Sequence, residues 1–110
     1  MTASPRSWQI ERRLSREHPS LAGHFPGMPV YPGVVLLAEV LEAVLGHPEL
    51  SPSLGPAPRI DSVKFLSPLQ PAAAGDLCLA LQLTEAAHGV DFELRCGERV
   101  AVRGQLRGPR

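Results

Sequence analysis

The sequence predicts an α+β fold in which one apolar helix packs on an antiparallel sheet. A segment with period-two alternation comes first, one long apolar stretch follows it, and four further strand-like segments complete the chain. Glycine or proline marks each connection between those four segments. Strands that succeed one another in hairpin order, with a single segregated helix, are typical of an antiparallel sheet.

The first strand is predicted over Ser7–Arg16, because alternate side chains there share one face of an extended backbone. Three of the four residues on that face are apolar, and they are Trp8, Ile10, Arg12 and Leu14. The sequence His18-Pro19-Ser20 then predicts a turn.

The helix is predicted over Val34–Leu45, where only Glu39 and Glu42 are polar. A helix that is apolar nearly all round is a buried one, so we expect the sheet to wrap it or a second copy of the chain to cover it. Gly46 is a plausible C′ residue, and Pro48 prevents the helix from continuing.

The remaining strands follow a proline-rich loop that is predicted over His47–Pro58. Alternating patterns place these strands at Ile60–Leu66, Asp76–Thr84, Val90–Cys96 and Arg99–Leu106. The leucines at alternate positions of the second of these strands predict its core face.

Length and composition limit the classes of protein that the chain can represent. Its 110 residues predict a single domain, residues 1–110. Eleven basic and eleven acidic residues balance, which gives no argument for a nucleic-acid partner. The two cysteines have no metal-like spacing and no glycine-rich nucleotide motif occurs, so we expect no metal and no cofactor. No apolar run approaches the roughly 18 residues of a membrane span, and we expect a cytoplasmic protein.

One motif is specific. Residues 24–34 read HFPGMPVYPGV and enter the apolar helix directly. This segment resembles the signature of the FabZ/FabA family of 3-hydroxyacyl-[acyl carrier protein] dehydratases. The segment Asp61–Phe65 with Pro68, followed by Gly75 and Asp76, resembles a second family motif. The short length and the LL-x-E-V-L helix look closer to the dehydratase-like proteins of aryl-polyene and xanthomonadin-type pathways.

The resemblance implies a hotdog fold, a sheet wrapped around one central helix, and a lyase of the fatty acid biosynthesis type. It assigns the catalytic histidine to His24 and the backbone N–H that binds the thioester carbonyl to Gly33. The other motif positions would line the substrate site, and they are Phe25, Pro26, Gly27, Tyr31, Pro32 and Val34. Tyr31 either lines the acyl pocket or simply packs.

The chemistry explains why these groups are needed. Dehydration of a 3-hydroxyacyl thioester removes a weakly acidic α-proton, which a neutral imidazole can accept at physiological pH. The helix N-terminus offers unpaired N–H groups and a positive dipole end to the developing enolate oxygen. Glycine at position 33 permits close approach of the ligand to the backbone. A carboxyl group then orients or protonates the leaving hydroxyl.

The acid of the family pattern lies fourteen residues after the histidine, and here that position is Ala38. Glu39 is its neighbour, rotated by about 100° around the helix. Glu42 lies one turn further on the same face as Ala38. Either glutamate could replace the acid, or both could face solvent or a subunit boundary.

The missing acid leaves three functions open. The first is a dehydratase that acts on a fatty-acyl or polyene-type thioester of an acyl carrier protein or of coenzyme A. The second is a hotdog thioesterase, with Glu39 or Glu42 activating a water molecule. The third is a non-catalytic subunit that binds acyl chains or completes a partner's site. The resemblance implies a homodimer or higher oligomer with sites that span two chains, so a heterodimer could supply the acid.

Overall fold

The computed structural model describes residues 5–21 and 29–108 of the chain. The predictions for His24, Phe25, Pro26 and Gly27 lie outside these residues. The described elements are β1 (Ser7–Leu14), a 3₁₀ turn (Pro19–Leu21), α1 (Gly33–Leu45), α2 (Ser51–Leu54), β2 (Arg59–Phe65), β3 (Leu77–Ala86), β4 (Gly89–Cys96) and β5 (Arg99–Arg107).

The five strands form one sheet in the order β1-β3-β4-β5-β2, and every neighbouring pair is antiparallel. The predicted α+β class with an antiparallel sheet is therefore confirmed. Strands β1 and β2 form the two edges, and the hairpins β3–β4 and β4–β5 form the centre. Strand β1 ends at Leu14 rather than Arg16, because the chain turns there and the N–H of His18 donates to the carbonyl of Ser15.

The core lies between the inner face of the sheet and one side of α1. Leu79, Leu81 and Leu83 of β3 are buried, as their stripe predicts, and Leu77 is half-buried; apolar residues of β4 and β5 complete this face. Helix α1 contributes Leu36, Val40, Ala43 and Val44 to this core. Burying each large apolar side chain contributes about 1.5–3 kcal/mol, which offsets the weak helix propensity of the valines.

Of the two coverings predicted for α1, the sheet of this chain supplies one side only. Val34 is 72% exposed and Leu45 is 37% exposed, and Ala38 between them is exposed as well. A sheet that lies against one side of a helix covers that side only. We call the side formed by Val34, Ala38, Leu41 and Leu45 the outer face of α1.

The helix ends at Leu45, as the sequence predicts, but Gly46 does not occupy the C′ position that the sequence predicts for it. Gly46 is the C-cap itself, with φ −84°, and its N–H donates to the carbonyl of Glu42. The following segment is not entirely loop, because Ser51–Leu54 forms α2 with a proline in its first turn.

Edge strand β2 borders the outer face of α1 at the N-terminal end of the helix. Nearly all of its residues are exposed, and a bulge interrupts its pairing with β5 between Ile60 and Ser62. Ile60, Phe65 and Leu66 are 40%, 52% and 46% exposed. No helix within the described ranges has the length and apolar character that would let it cross a membrane.

Candidate functional site

An apolar groove of about 550 Å³ opens where α1 begins. The chain that enters the helix forms one wall, and the end of β2 with the loop after it forms the other. The groove is lined by residues 30–34, Leu36 and residues 65–68. Three of the predicted substrate-site residues, Tyr31, Pro32 and Val34, therefore come together here with Gly33. A second hollow, on the outer side of the sheet, is lined mostly by residues with polar side chains, Lys64 and Arg103 among them, and shares no residue with the groove.

The N-terminus of α1 presents backbone N–H groups at this groove. Pro32 is the N-cap and has no side-chain acceptor to satisfy them. The carbonyl of Pro32 accepts from the N–H groups of Val35 and Leu36, whereas those of Gly33 and Val34 donate to no other described residue. Unpaired N–H groups at a positive helix end favour an oxygen that carries negative charge. The family resemblance assigns a backbone N–H of this kind to Gly33.

Phe65 covers the same point from strand β2. A Cβ added to Gly33 would lie 2.8 Å from Cε1 of Phe65, which is closer than packed carbon atoms approach. Glycine at position 33 thus lets the ring and the helix N-terminus meet.

Tyr31 packs at the base of the groove, and its hydroxyl is already engaged. Its side chain is 2% exposed, and the hydroxyl donates to the carbonyl of Ser15 at 2.7 Å. Its backbone N–H donates to the carbonyl of Leu69 at 2.9 Å. Burial raises the pKa of the Tyr31 phenol. Tyr31 therefore both lines the groove and holds the end of β1 to the chain that enters α1.

Arg12 joins the two glutamates of α1 to strand β1. One carboxylate oxygen of Glu39 lies 2.9 Å from the guanidinium, and one of Glu42 lies at the same distance. The side chains of Arg12 and Glu39 are 21% and 19% exposed, whereas Glu42 is 73% exposed. Burial lowers the pKa of Arg12, but its hydrogen bonds to Glu42 and Glu39 outweigh burial, and the pKa is raised.

Sequence reasoning missed the role of Arg12. The available signal was its place as the polar residue on the inward face of an otherwise apolar first strand. A charged side chain on an inward face needs a partner of opposite charge. The glutamates of the otherwise apolar helix α1 were the candidates for that partner.

The structure places the two candidate acids, Glu39 and Glu42, beside Arg12. It places Ala38 on the exposed outer face of α1. No carboxylate belongs to the described residues that line the groove. The sequence of residues 22–28, AGHFPGM, contains no acidic residue either. Among the described residues, no group of three histidine, cysteine or carboxylate side chains could hold a metal ion.

A family model described as ApeI dehydratase matches residues 1–105. The chain belongs to the ApeI-like dehydratase family. The dehydratase heterocomplex ApeI:P from Xenorhabdus doucetiae is similar in structure, with a TM-score of 0.69, 26% identity, and coverage of 92% of this chain and 85% of that one. This likeness, together with the antiparallel sheet and its helix, confirms the predicted hotdog fold.

Curated relatives of this ApeI-like chain carry the name 3-hydroxyacyl-[acyl-carrier-protein] dehydratase FabZ. The protein of Natranaerobius thermophilus is 30% identical over 103 residues, which is 86% of this chain and 70% of the relative. That of Thermomicrobium roseum is 34% identical over 64 residues, which is 54% of this chain and 43% of the relative. The chain thus spans less than half the length of the second relative. The predicted place among FabZ-like dehydratases is confirmed.

Proposed function

We propose that this chain dehydrates a 3-hydroxyacyl thioester borne by an acyl carrier protein, giving the 2-enoyl thioester and water. The observation that carries the proposal is the helix N-terminus at Gly33, whose N–H opens onto an apolar groove. A thioester carbonyl would accept a hydrogen bond there, and the bond would strengthen as the enolate forms. The acyl chain, of a fatty or polyene type, would occupy the apolar groove.

His24 is the proposed base. In the proposed reaction its imidazole takes the α-proton, the electron pair forms the new carbon–carbon double bond, and the 3-hydroxyl leaves as water after it receives a proton. Phe25, Pro26 and Gly27 are proposed to shape the substrate site beside it. These assignments follow from the family motif that leads into α1.

The proton for the leaving hydroxyl has three candidate donors. Glu39 and Glu42 are the two within the chain, and the third is a carboxyl group of a partner. The carboxylates of Glu39 and Glu42 each lie 2.9 Å from the Arg12 guanidinium, and neither glutamate belongs to the groove lining. A dimer, either of two identical chains or of two different ones, is part of the proposal, with residues 1–110 acting as one domain.

The thioesterase alternative draws less support from the same groove. Hydrolysis would need a base that activates water beside the thioester, and no described groove residue carries a carboxylate. The same assay separates the two reactions, because only hydrolysis releases a free thiol.

The test is incubation of the purified chain with a 3-hydroxyacyl thioester and, separately, with its enoyl product. Protein at substrate concentration makes slow turnover visible, and enoyl absorbance and free thiol are followed together. We expect interconversion without thiol release, lost in His24→Ala and retained in the matched control His88→Asn. His88 is exposed in the β3–β4 turn with φ 63°, which asparagine tolerates. Thiol release, or interconversion that survives His24→Ala, would contradict the proposal.

A further inference from the structure

We propose that the hollow on the outer side of the sheet binds the phosphate group of a small anionic ligand through Lys64 of β2 and Arg103 of β5. This hollow has a volume of about 450 Å³ and shares no residue with the groove at the start of α1. Described strand residues form its whole lining. The inference therefore goes beyond the proposed dehydratase function and does not rest on it.

The two cations of the hollow lie side by side. Lys64 and Arg103 are directly opposite residues in the antiparallel pairing of β2 with β5. The Cβ atoms of such residues are about 4.5–5.5 Å apart, and like charges at opposite positions destabilise a sheet. Gly104 permits a close approach of the two strands here, because a Cβ on it would collide with the carbonyl oxygen of Ser62. The sheet thus holds two positive charges together at a cost to its own stability.

No acidic side chain of the sequence compensates these two charges. All eleven acidic residues lie within the described ranges. Of the carboxylates in those ranges, none forms an ion pair with Lys64 or Arg103. Both cations are exposed, and Lys64 lies on an edge strand with no further strand of this chain beyond it.

The two acids that line the hollow are engaged elsewhere. Glu93 is directly opposite Arg103 in the pairing of β4 with β5, yet its carboxylate accepts a hydrogen bond from Nε of Arg95 at 2.6 Å. Asp91 lies 3.1 Å from the guanidinium of Arg107. Each acid therefore cancels the charge of one arginine outside the hollow lining, and the hollow keeps an excess of two positive charges.

This excess selects a phosphate group as the ligand. A phosphate monoester carries nearly two negative charges above pH 7, whereas a carboxylate carries one and would compensate only half of the excess. A guanidinium can bind two phosphate oxygens at once, and a lysine ammonium adds a point charge beside it. Sequences break a local rule of sheet pairing mainly at functional sites, and a like-charge pair in a hollow breaks such a rule.

The rest of the lining suits an organic part that carries hydroxyl groups. Amide and hydroxyl side chains can both donate and accept hydrogen bonds. Four of them line the hollow, namely Ser62, Gln82, Thr84 and Gln105. The volume lies within the range of about 300–1,000 Å³ that is typical of small-molecule sites. The shared chemistry is the phosphate group, and its source is either the free ion or a phosphate ester of a hydroxylated compound such as a sugar.

Urea denaturation at pH 8, in chloride and in inorganic phosphate of equal ionic strength, tests the cation pair. In chloride, we expect Lys64→Gln to have a higher urea midpoint than the wild-type chain, because it removes the repulsion. Phosphate should raise the midpoint of the wild-type chain above that of Lys64→Gln, and should leave Lys64→Gln and Arg103→Gln nearly unchanged. The matched control is Arg13→Gln, which removes an exposed arginine that pairs with Glu11 at 3.2 Å on β1. It should respond to phosphate as the wild-type chain does.

Calorimetric titration then identifies the source of the phosphate, with inorganic phosphate, ribose 5-phosphate and ribose as the probes. We expect both phosphates to bind the wild-type chain, and the double variant Lys64→Gln/Arg103→Gln to bind them at least about tenfold more weakly. A ribose 5-phosphate that binds more tightly than inorganic phosphate assigns the site to a phosphate ester, and one that binds no more tightly assigns it to the free ion. Circular dichroism establishes that the variants fold alike.

Three results would overturn the proposal. The first is a phosphate effect on the urea midpoint that is equal in the wild-type chain and all variants, which is the general effect of an excluded salt. The second is the absence of binding by either phosphate, or binding that the double variant retains. The third is ribose that binds as tightly as ribose 5-phosphate, because the phosphate group would then contribute nothing.

Discussion

The ring of Phe65 lies against Gly33, so that a Cβ on this glycine would be only 2.8 Å from Cε1 of the ring. The contact joins edge strand β2 to the first residue of α1 and sets the width of the groove at the helix N-terminus. Because Phe65 is 52% exposed, its ring can also contact whatever occupies the groove.

Gly33→Ala is therefore expected to harm catalysis more than folding. The methyl group would push the ring aside and hold a thioester carbonyl away from the backbone N–H, so kcat/KM should fall about tenfold or more. Overpacking should cost about 1 kcal/mol of unfolding free energy. Adding Phe65→Leu should restore the unfolding free energy, measured by urea denaturation, but not kcat/KM. Unchanged kcat/KM in Gly33→Ala would contradict a role for this N–H.

Local signals predicted the elements around the groove closely. The apolar run and its flanking proline and glycine placed α1 over Val34–Leu45, one residue short of the structure. The alternating patterns placed all five strands within one or two residues at each end. Such signals depend on neighbours in the chain, which a sequence displays directly.

Contacts between distant residues could not be predicted in the same way. Arg12 is 27 residues from Glu39 and 30 from Glu42, so their pairing depends on how α1 lies across β1. The outer face of α1 shows a related limit, because an apolar pattern does not say which side the chain itself covers. The proline-rich sequence of residues 47–58 predicted a loop and did not indicate the single turn of α2. Packing of the buried Leu54 stabilises this turn more than the helix propensity of its residues does.

Removing Arg12 should destabilise the fold by leaving the part-buried carboxylate of Glu39 unpaired. We expect Arg12→Met to lower the unfolding free energy by about 2 kcal/mol, below the range for fully buried pairs because Glu39 is still 19% exposed. Glu39→Gln should cost about half as much. Glu42→Gln should change the unfolding free energy by less than about 0.5 kcal/mol, because Glu42 is 73% exposed.

The matched control for Arg12 is Arg13, its neighbour on the opposite face of β1. Arg13 pairs with Glu11 at 3.2 Å, and both side chains are at least 60% exposed. Arg13→Met should therefore leave the urea midpoint almost unchanged. If Arg12→Met and Arg13→Met lowered the unfolding free energy equally, Arg12 would contribute only its positive charge and not its ion pairs with Glu39 and Glu42.

Glu85 should contribute an acid-sensitive part of the stability. Its pKa is lowered, first by the backbone N–H of Arg6 and then by the Arg6 guanidinium. A carboxyl group with a lowered pKa stabilises the folded state above its unfolded pKa of 4.5, and this contribution disappears as the pH falls through the lower folded value. The wild-type chain should thus be more stable than Glu85→Gln at pH 7, and the difference should vanish at strongly acidic pH. A difference that grows on acidification would contradict this sign.

Tyr31 offers a prediction for alkaline pH. Burial raises its pKa above the ordinary value of 10.0, so the folded chain keeps the phenol neutral when the unfolded chain has begun to ionise. The contribution of the neutral Tyr31 phenol to the unfolding free energy is therefore complete below pH 10, and it is lost as the pH rises through the pKa of the folded state. Tyr31→Phe should cost about 1 kcal/mol at neutral pH, through the lost hydrogen bond to Ser15, and should lack this alkaline loss. Tyr31 is the only tyrosine of the sequence, so phenolate absorbance reports its titration directly. A midpoint equal to that of the urea-unfolded chain would show that the ring is not buried as described.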